Sequence, residues 1–91
     1  MNIVITGGTR GIGRGLAEEF VRRCHNVVIS GRQAPAVASA VEAIDRAGSG
    51  RAAGAAGEAG DLASHEALWE LASQTFGAVD IWVNNAGMTN R

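Results

Sequence analysis

Apolar residues along the chain form two kinds of pattern, short runs and spaced stripes. Three short runs rich in β-branched residues lie at 3–5, 27–29 and 79–83. Runs of this length and composition are typical of strands that are buried on both faces of a sheet. Elsewhere, apolar residues recur every three or four positions, which is typical of amphipathic helices. The pattern therefore predicts an α/β fold in which strands and helices alternate.

Three helices are predicted from the spaced stripes. The first runs from about 13 to 23, and the second starts near Pro35 and stops near Gly48. The third lies between Ser64, a favourable N-cap, and Gly77, a favourable stop. The apolar stripes consist of Ile12, Leu16, Ala17, Phe20 and Val21, of Val37, Ala40, Val41 and Ile44, and of Leu68, Leu71, Ala72 and Phe76. Each helix thus has one apolar face for packing against the sheet.

The connection between the first strand and the first helix is rich in glycine. Gly7, Gly8, Gly11 and Gly13 fall within eight positions after the strand. Glycine permits a tight turn and lets the backbone approach a ligand closely. The helix that follows directs its free N–H groups and positive dipole end at that ligand, which suits a phosphate. This arrangement indicates the start of a dinucleotide-binding βαβ unit.

Residues 47–60 are almost all small, which by itself is typical of a flexible linker. A dinucleotide-binding unit, however, needs a third strand leading to Asp61. We predict this strand at about 54–59, although no β-branched residue supports it. The expected fold is then a partial Rossmann fold, with a parallel sheet of about four strands in the order 3-2-1-4 and helices on both faces.

Composition narrows the classes of function. The net charge of −1 gives no positive patch for nucleic acid or acidic membranes, and no apolar run is long enough to span a membrane. The single Cys24 fits a reducing compartment, so a cytoplasmic protein is expected. No grouping of residues indicates a metal site.

Four motifs occur in the order that is typical of one protein family. They are Thr-Gly-x-x-x-Gly-x-Gly at 6–13, Arg32 after the second strand, Asp61 with Leu62, and Asn-Asn-Ala-Gly at 84–87. Together they resemble the N-terminal cofactor half of the short-chain dehydrogenases/reductases, and the resemblance covers the entire chain. It implies an oxidoreductase that transfers hydride between a nicotinamide cofactor and a carbonyl/alcohol pair.

Two runs resemble one branch of that family more than the others. Residues 26–32 and 80–90, together with the Glu-Glu-Phe end of the first helix, are most similar to chlorophyll b reductase-type members. This similarity adds the plastid stroma to the cytoplasm as an expected location. Residues 1–91 as a whole are predicted to be the N-terminal dinucleotide-binding half of a Rossmann domain.

The resemblance also implies which residues bind the cofactor. The set consists of Gly7, Thr9, Arg10, Gly11, Ile12, Gly13, Ser30, Arg32, Asp61, Leu62, Asn85, Ala86 and Gly87. Within it, the Asp61 carboxylate would accept from the adenine amino group, and Leu62 would supply a backbone contact. The alternative for Asp61 is that it caps the next turn. The small residues Ala86 and Gly87 would let the backbone pass close to a ribose.

The segment after the second strand bears on the choice between NAD and NADP. An acid there hydrogen-bonds the ribose 2′-OH and selects NAD, whereas an Arg accommodates a 2′-phosphate. Gly31 stands where that acid is expected, and Arg32 follows. The resemblance implies that Arg10 and Arg32 hold the 2′-phosphate, assisted by Thr9 and Ser30. The expected cofactor is NADP(H), preferred by about 1–3 kcal/mol, or roughly ten- to a hundredfold. The alternative is that both arginines are solvated surface residues.

The catalytic residues of the family have no counterpart in the chain. Family members use a Tyr-x-x-x-Lys pair with a Ser, all downstream of the Asn-Asn-Ala-Gly motif, and this sequence contains neither Tyr nor Lys. We therefore assign no catalytic residue. One hypothesis is the cofactor-binding portion of an NADP(H)-dependent oxidoreductase, inactive by itself. The other is a non-catalytic NADP(H)-binding or regulatory module, completed by self-association or by a partner chain at the bare edge of strand 4 (79–83).

Overall fold

The computed structural model describes residues 1–58 and 60–86, which form a four-stranded sheet and three helices. In chain order the elements are β1 (Asn2–Ile5), α1 (Gly11–Arg22), β2 (Asn26–Gly31), α2 (Ala34–Asp45), β3 (Ala52–Ala56), α3 (Leu62–Phe76) and β4 (Ile81–Val83). The strand order is β3-β2-β1-β4, and all three pairings are parallel. The predicted α/β fold, with its partial Rossmann sheet in the order 3-2-1-4, is confirmed.

Helices cover both faces of the sheet. On one face, α1 and α2 pack on alternate residues of the two central strands, namely Ile3, Ile5, Val27 and Ile29. On the other face, α3 packs on Val4 and Val28 through Leu68 and Ala72. These residues are all buried, which explains why β1 and β2 are continuously apolar rather than alternating. Each large side chain buried in this way contributes about 1.5–3 kcal/mol.

Three element starts differ from the predicted ones. Helix α1 begins at Gly11, earlier than predicted, and β4 begins only at Ile81. Helix α3 begins at Leu62, and its N-cap is Asp61 rather than Ser64. The backbone of Asp61 is extended (φ −97°, ψ 119°), so the helix starts directly after it and the Ser64 side chain falls within the first turn.

Strand β3 lies earlier in the sequence than predicted, because its position is set by pairing and not by its own side chains. Residues 52–56 pair in parallel with 27–31 of β2. A Cβ on Gly54 would lie 2.8 Å from Val37 Cγ1 and 2.9 Å from Val41 Cγ2 of α2. The small residues of β3 therefore allow α2 to pack directly on the strand, and the segment is a strand and not a linker.

The edge strand β4 carries an exposed apolar patch. Ile81 is 36% exposed, whereas Trp82 and Val83 are half-buried. Trp69 of α3 is 51% exposed and stacks on Trp82, with 6.2 Å between ring centroids. Within the described part of the chain, β4 has a neighbouring strand on one side only.

Replacing Cys24 with Gly should stabilise the chain. Cys24 follows α1 with φ 68°, a left-handed conformation that costs a non-glycine residue about 1–2 kcal/mol. Its N–H donates to Val21 O, and the N–H of His25 donates to Phe20 O, the helix-ending pattern that favours glycine at this position. After the entropy cost of glycine, the free energy of unfolding should rise by about 0.5–1 kcal/mol in a urea titration. The control is Ala38→Gly in the exposed middle of α2, which should lower the free energy of unfolding by about the same amount. A lower free energy of unfolding for Cys24→Gly would contradict the prediction.

Candidate functional site

A cavity of about 580 Å³ lies at the carboxyl ends of the strands. It is lined by Gly7, Thr9, Arg10, Gly11, Ile12, Ser30, Gly31, Arg32, Gly57, Glu58, Gly60, Asn85 and Ala86. Of the predicted cofactor site, every described residue belongs to this lining except Gly13, Asp61 and Leu62. Gly87, which was also predicted, lies outside the described residues. The structure adds Gly31, Gly57, Glu58 and Gly60, which the sequence analysis did not assign to the site. The crevice at the carboxyl ends of a parallel sheet is where ligands of α/β proteins bind.

The turn between β1 and α1 forms the floor of this cavity. Gly7 (φ 73°) and Gly11 (φ 66°) have left-handed backbone conformations. The N–H of Gly8 donates to Ser30 O at 2.9 Å, and that of Gly7 donates to Ser30 Oγ at 3.3 Å. Among the described residues no side chain caps the start of α1, and its first turn has no acid. The free N–H groups and positive dipole end of α1 thus suit an anion such as a phosphate.

Two buried polar side chains tie the end of β4 to this turn. Asn85 is 3% exposed, and its Nδ2 donates to Gly7 O at 3.0 Å. Thr6 is 2% exposed; its N–H donates to Val83 O, and its Oγ1 accepts from the Ala86 N–H at 3.2 Å. Buried polar groups that are all hydrogen-bonded hold a unique geometry. The β1 and β4 sides of the cavity therefore form one connected unit.

Gly13 supports the cavity from behind rather than lining it. It is buried in the first turn of α1. A Cβ at this position would lie 2.4 Å from Gly7 O and 2.5 Å from Asn85 Nδ2. The absence of a side chain lets α1 approach the Asn85–Gly7 hydrogen bond, so Gly13 determines where the helix start sits relative to the turn.

Arg10 and Arg32 place two positive charges at the mouth of the cavity. Both line it and both are exposed. Within residues 1–58 and 60–86 neither makes an ion pair, whereas the neighbouring Arg14 pairs with Glu18 at 2.8 Å. Their charges are therefore available to an anionic ligand. Two unit charges about 4 Å apart attract by about 4 kcal/mol at an effective dielectric near 20, before desolvation and screening.

Gly31 leaves no free space for an acid at the end of β2. A Cβ there would lie 2.6 Å from Thr9 Cγ2 and 3.1 Å from Val37 Cγ2. An acidic side chain at this position would require Thr9 to move. Position 31 thus contributes no carboxylate next to Arg32, and the acidic residue in the described lining is Glu58.

Asp61 and Leu62 stand beside the cavity and not in its wall. Asp61 occupies the N-cap position of α3, and its Oδ2 accepts from Ser64 Oγ at 3.0 Å. This position agrees with the alternative that Asp61 caps the next turn. Its carboxylate, however, accepts from the Ser64 hydroxyl and not from a backbone N–H of the helix. Leu62 is the first residue of α3 and is 72% exposed. Their role as cofactor contacts stays a prediction.

Arg14 also supports the site, and the sequence analysis did not name it. Its Nη1 donates to the carbonyl oxygen of Thr9 at 3.3 Å, while its Nε donates to Glu18. The guanidinium group is thereby fixed against the outside of the turn that carries Arg10. The sequence did contain a sign of this position for Arg14. Glu18 lies four residues further along the helix, a spacing at which ion pairs form.

Other kinds of site are not seen in the described residues. No group of three or more His, Cys, Asp or Glu side chains in that part of the chain could hold a metal ion. The same residues contain no helix of the length and apolarity required to cross a membrane.

Comparison with known proteins agrees with this geometry. The family model described as short chain dehydrogenase matches residues 1–91. The chain is 39% identical over 87 residues to chlorophyll(ide) b reductase NOL, chloroplastic, of Oryza sativa subsp. japonica, covering 94% of this chain and 25% of that protein. It is 43% identical over 91 residues to the L-rhamnose 1-dehydrogenase (NAD(P)(+)) of Azotobacter vinelandii, covering 94% of this chain and 35% of that protein.

A solved structure shows the same similarity in three dimensions. L-sorbose reductase from Gluconobacter frateurii, complexed with NADPH and L-sorbose, superposes with a TM-score of 0.88 at 31% identity. The match covers 94% of this chain and 33% of that one, so the chain spans about a third or less of the length of these relatives. The motifs, the sheet and the family match lead to one conclusion: the chain belongs to the short-chain dehydrogenase/reductase family of oxidoreductases.

Proposed function

We propose that residues 1–91 are the NADP(H)-binding portion of a short-chain dehydrogenase/reductase. Two exposed arginines, Arg10 and Arg32, carry this proposal, since neither makes an ion pair among the described residues and both line a cavity whose β2 end has Gly31 in place of an acid. An NAD-type site would need a carboxylate there to bond the ribose 2′-OH. The relatives support the choice of cofactor class, since one is named as using NAD(P)(+) and another was solved with NADPH.

The strand order supports one direction for the bound dinucleotide. Its pyrophosphate sits over the glycine turn, at the start of α1. Arg10 and Arg32 receive the 2′-phosphate, so the adenosine half extends from β1 toward β2 and β3. The nicotinamide half then extends the other way, toward Asn85 and Ala86 at the end of β4. The described lining has residues on both sides of the turn, which supports this orientation.

Within this portion the residues bind and orient the cofactor and do not move protons on a substrate. The bound nicotinamide would supply hydride to, or take it from, a carbonyl/alcohol pair. The family's Tyr–Lys pair for proton transfer is absent from the 91 residues. We therefore expect the 91-residue chain to bind NADP(H) without turning over a substrate.

Calorimetric titration of the chain with NADPH and, separately, with NADH tests the proposal. NADPH should bind roughly ten- to a hundredfold more tightly, the equivalent of about 1–3 kcal/mol from the two arginines. The preference should fall as salt is raised, because the arginines are exposed. Equal affinities, or binding of neither cofactor to a chain with native circular dichroism, would contradict it.

A second candidate function is a non-catalytic NADP(H)-binding module completed by a second copy or a partner chain. Two exposed apolar side chains, Ile81 of β4 and Trp69 of α3, favour it, because within the described residues β4 has a neighbouring strand on one side only. Exposed strand edges and apolar patches are sites of association. Sedimentation equilibrium should then show a mass that rises with concentration. A monomer that binds NADPH over the whole concentration range would exclude self-association.

The cellular location is also a proposal. We expect the cytoplasm, with the plastid stroma as the alternative because the relative from Oryza sativa subsp. japonica is named chloroplastic. Fractionation of source cells followed by immunodetection would distinguish these compartments.

A further inference from the structure

The turn between β1 and α1 is held by β2 in its first half only. The N–H groups of Gly7 and Gly8 donate to Ser30, the first to its Oγ and the second to its carbonyl oxygen. In the part of the chain that the structure describes, the N–H groups of Thr9 and Arg10 donate no hydrogen bond. Both of these residues line the cavity. The second half of the turn therefore depends on other contacts for its position.

One such contact comes from Arg14 of α1, whose side chain forms two hydrogen bonds. Its Nη1 donates to the Thr9 carbonyl oxygen at 3.3 Å, and its Nε donates to Glu18 Oε2 at 2.8 Å. A guanidinium group is planar and its N–H groups point in fixed directions. The bond to Glu18 therefore also sets the direction of the N–H that reaches Thr9. Arg14 and Glu18 are both half-buried, so solvent and salt screen their attraction less than that of an exposed pair.

The Thr9 residue is held from two sides. Its side chain lies against the end of β2, because a Cβ on Gly31 would be 2.6 Å from Thr9 Cγ2. Its carbonyl oxygen is held by Arg14 of α1. The peptide between Thr9 and Arg10 is trans, so its C=O and N–H point in opposite directions. The bond to Arg14 thus turns the Arg10 N–H away from the Arg14 guanidinium group.

We propose that Arg14, held by Glu18, is a positioning residue that gives the site its preference for a 2′-phosphate. It fixes the peptide between Thr9 and Arg10 and so keeps Arg10 in place to meet that phosphate. Arg14 does not belong to the described lining of the cavity, so it acts through the turn and not on the ligand. Without this bond, part of the binding free energy would be spent on ordering the turn. This role rests on the proposed NADP(H) site.

Two substitutions of opposite charge distinguish positioning from a simple effect of charge. Arg14→Met removes a positive charge, and Glu18→Ala removes a negative one, while both new residues favour a helix. If charge alone acted, the first would lower the affinity for the more anionic cofactor and the second would raise it. If Arg14 positions the turn, both lower the preference for NADPH, since the long Arg14 side chain loses its anchor in Glu18→Ala.

The measurement is the dissociation constant for NADH divided by that for NADPH, obtained by calorimetry for each folded variant. We expect this ratio to fall by about two- to tenfold in Arg14→Met and in Glu18→Ala, which is the range that one hydrogen bond is worth. NADH lacks the 2′-phosphate, so most of the change should lie in the affinity for NADPH. Circular dichroism verifies that each variant keeps its helices.

Arg23→Met and Glu19→Ala are the matched controls. Arg23 Nε donates to Glu19 Oε2 at 2.8 Å, the same distance and the same spacing as in the pair of Arg14 with Glu18. This pair lies toward the other end of α1, where Arg23 is the C-cap residue. Both control variants should keep the ratio of the unaltered chain.

The other outcomes separate this role from the proposed function. A ratio that falls in Arg14→Met but rises in Glu18→Ala would mean that Arg14 acts by its charge alone, and the proposal would be wrong. An unchanged ratio in either variant, or an equal fall in the controls, would also overturn it. An unaltered chain that binds NADPH and NADH equally well would overturn the proposed function, and the role of Arg14 with it.

Discussion

The Gly13→Ala variant should lose both cofactor binding and much of its stability. The added Cβ would lie 2.4 Å from the backbone carbonyl oxygen of Gly7, which no side-chain rotation can relieve, and 2.5 Å from Asn85 Nδ2. Forcing one methyl group into a packed site costs about 1–3 kcal/mol. Breaking the hydrogen bond between Asn85 and Gly7 leaves buried polar groups unpaired, at about 1–3 kcal/mol more. A chain of this size has only about 5–14 kcal/mol of stability in total.

Gly15→Ala is the matched control for this prediction. Gly15 lies in the same helix, two residues further on, and a Cβ there would meet nothing within 4 Å. It should stabilise α1 by about 0.5–1 kcal/mol, since alanine is the better helix former. Thermal unfolding should give a midpoint lower by about 10 °C or more for Gly13→Ala and a slightly higher one for Gly15→Ala. Similar midpoints for the two variants would show that Gly13 is not tightly enclosed.

Removing the two cavity arginines should abolish the preference for NADPH. Arg10→Ala and Arg32→Ala should each weaken NADPH binding several-fold, and the double variant roughly ten- to a hundredfold, because each would remove one of the charges that we propose to hold the 2′-phosphate. NADH lacks that phosphate, so its affinity should change little. Dissociation constants for both cofactors, measured by calorimetry at low salt, give the ratio directly.

Arg46→Ala is the control for charge alone. Arg46 is 72% exposed at the end of α2 and pairs with Glu42, also on the surface of that helix. Its removal changes the net charge by the same amount as each single variant does. The ratio of the dissociation constants for NADPH and NADH should nevertheless stay the same. If the arginine variants weakened the two cofactors equally, the arginines would act through the general field of the protein and not on the 2′-phosphate.

The sequence was sufficient to predict those parts of the fold that depend on local pattern. The apolar runs and stripes predicted β1, β2 and the three helices correctly, and the resemblance to a dinucleotide-binding unit supplied the strand order. Strand β3 could not be located in this way, because a run of alanine and glycine has neither alternation nor β-branched residues. Its position depends on pairing with 27–31 and on the close approach of Val37 and Val41.

The displacement of β3 had a consequence for the candidate site. With the strand predicted to end at 59, Asp61 was the first acid after it. The strand in fact ends at Ala56, so Glu58 follows it and Asp61 falls at the start of α3. A shift of three residues in a featureless strand thus changes which acid lines the cavity.

The contacts that hold the site together could not be predicted either. Asn85 donates to the carbonyl of Gly7, a residue 78 positions away, and Gly13 lies against that same bond. The motifs named all three residues, but only the folded sheet shows that they form one unit. The sequence therefore predicted the residues of the site more reliably than it predicted the contacts that each of them makes.

Nuclear magnetic resonance can locate the surface of the chain to which NADPH binds. We would record ¹⁵N–¹H spectra of the labelled chain during titration with NADPH. Amide shifts should concentrate in four segments around the cavity, residues 7–13, 30–32, 57–58 and 85–86, with little change on the outer surface of α2. Shifts confined to another surface, or no shifts in a folded chain, would contradict the assignment of this cavity to NADP(H).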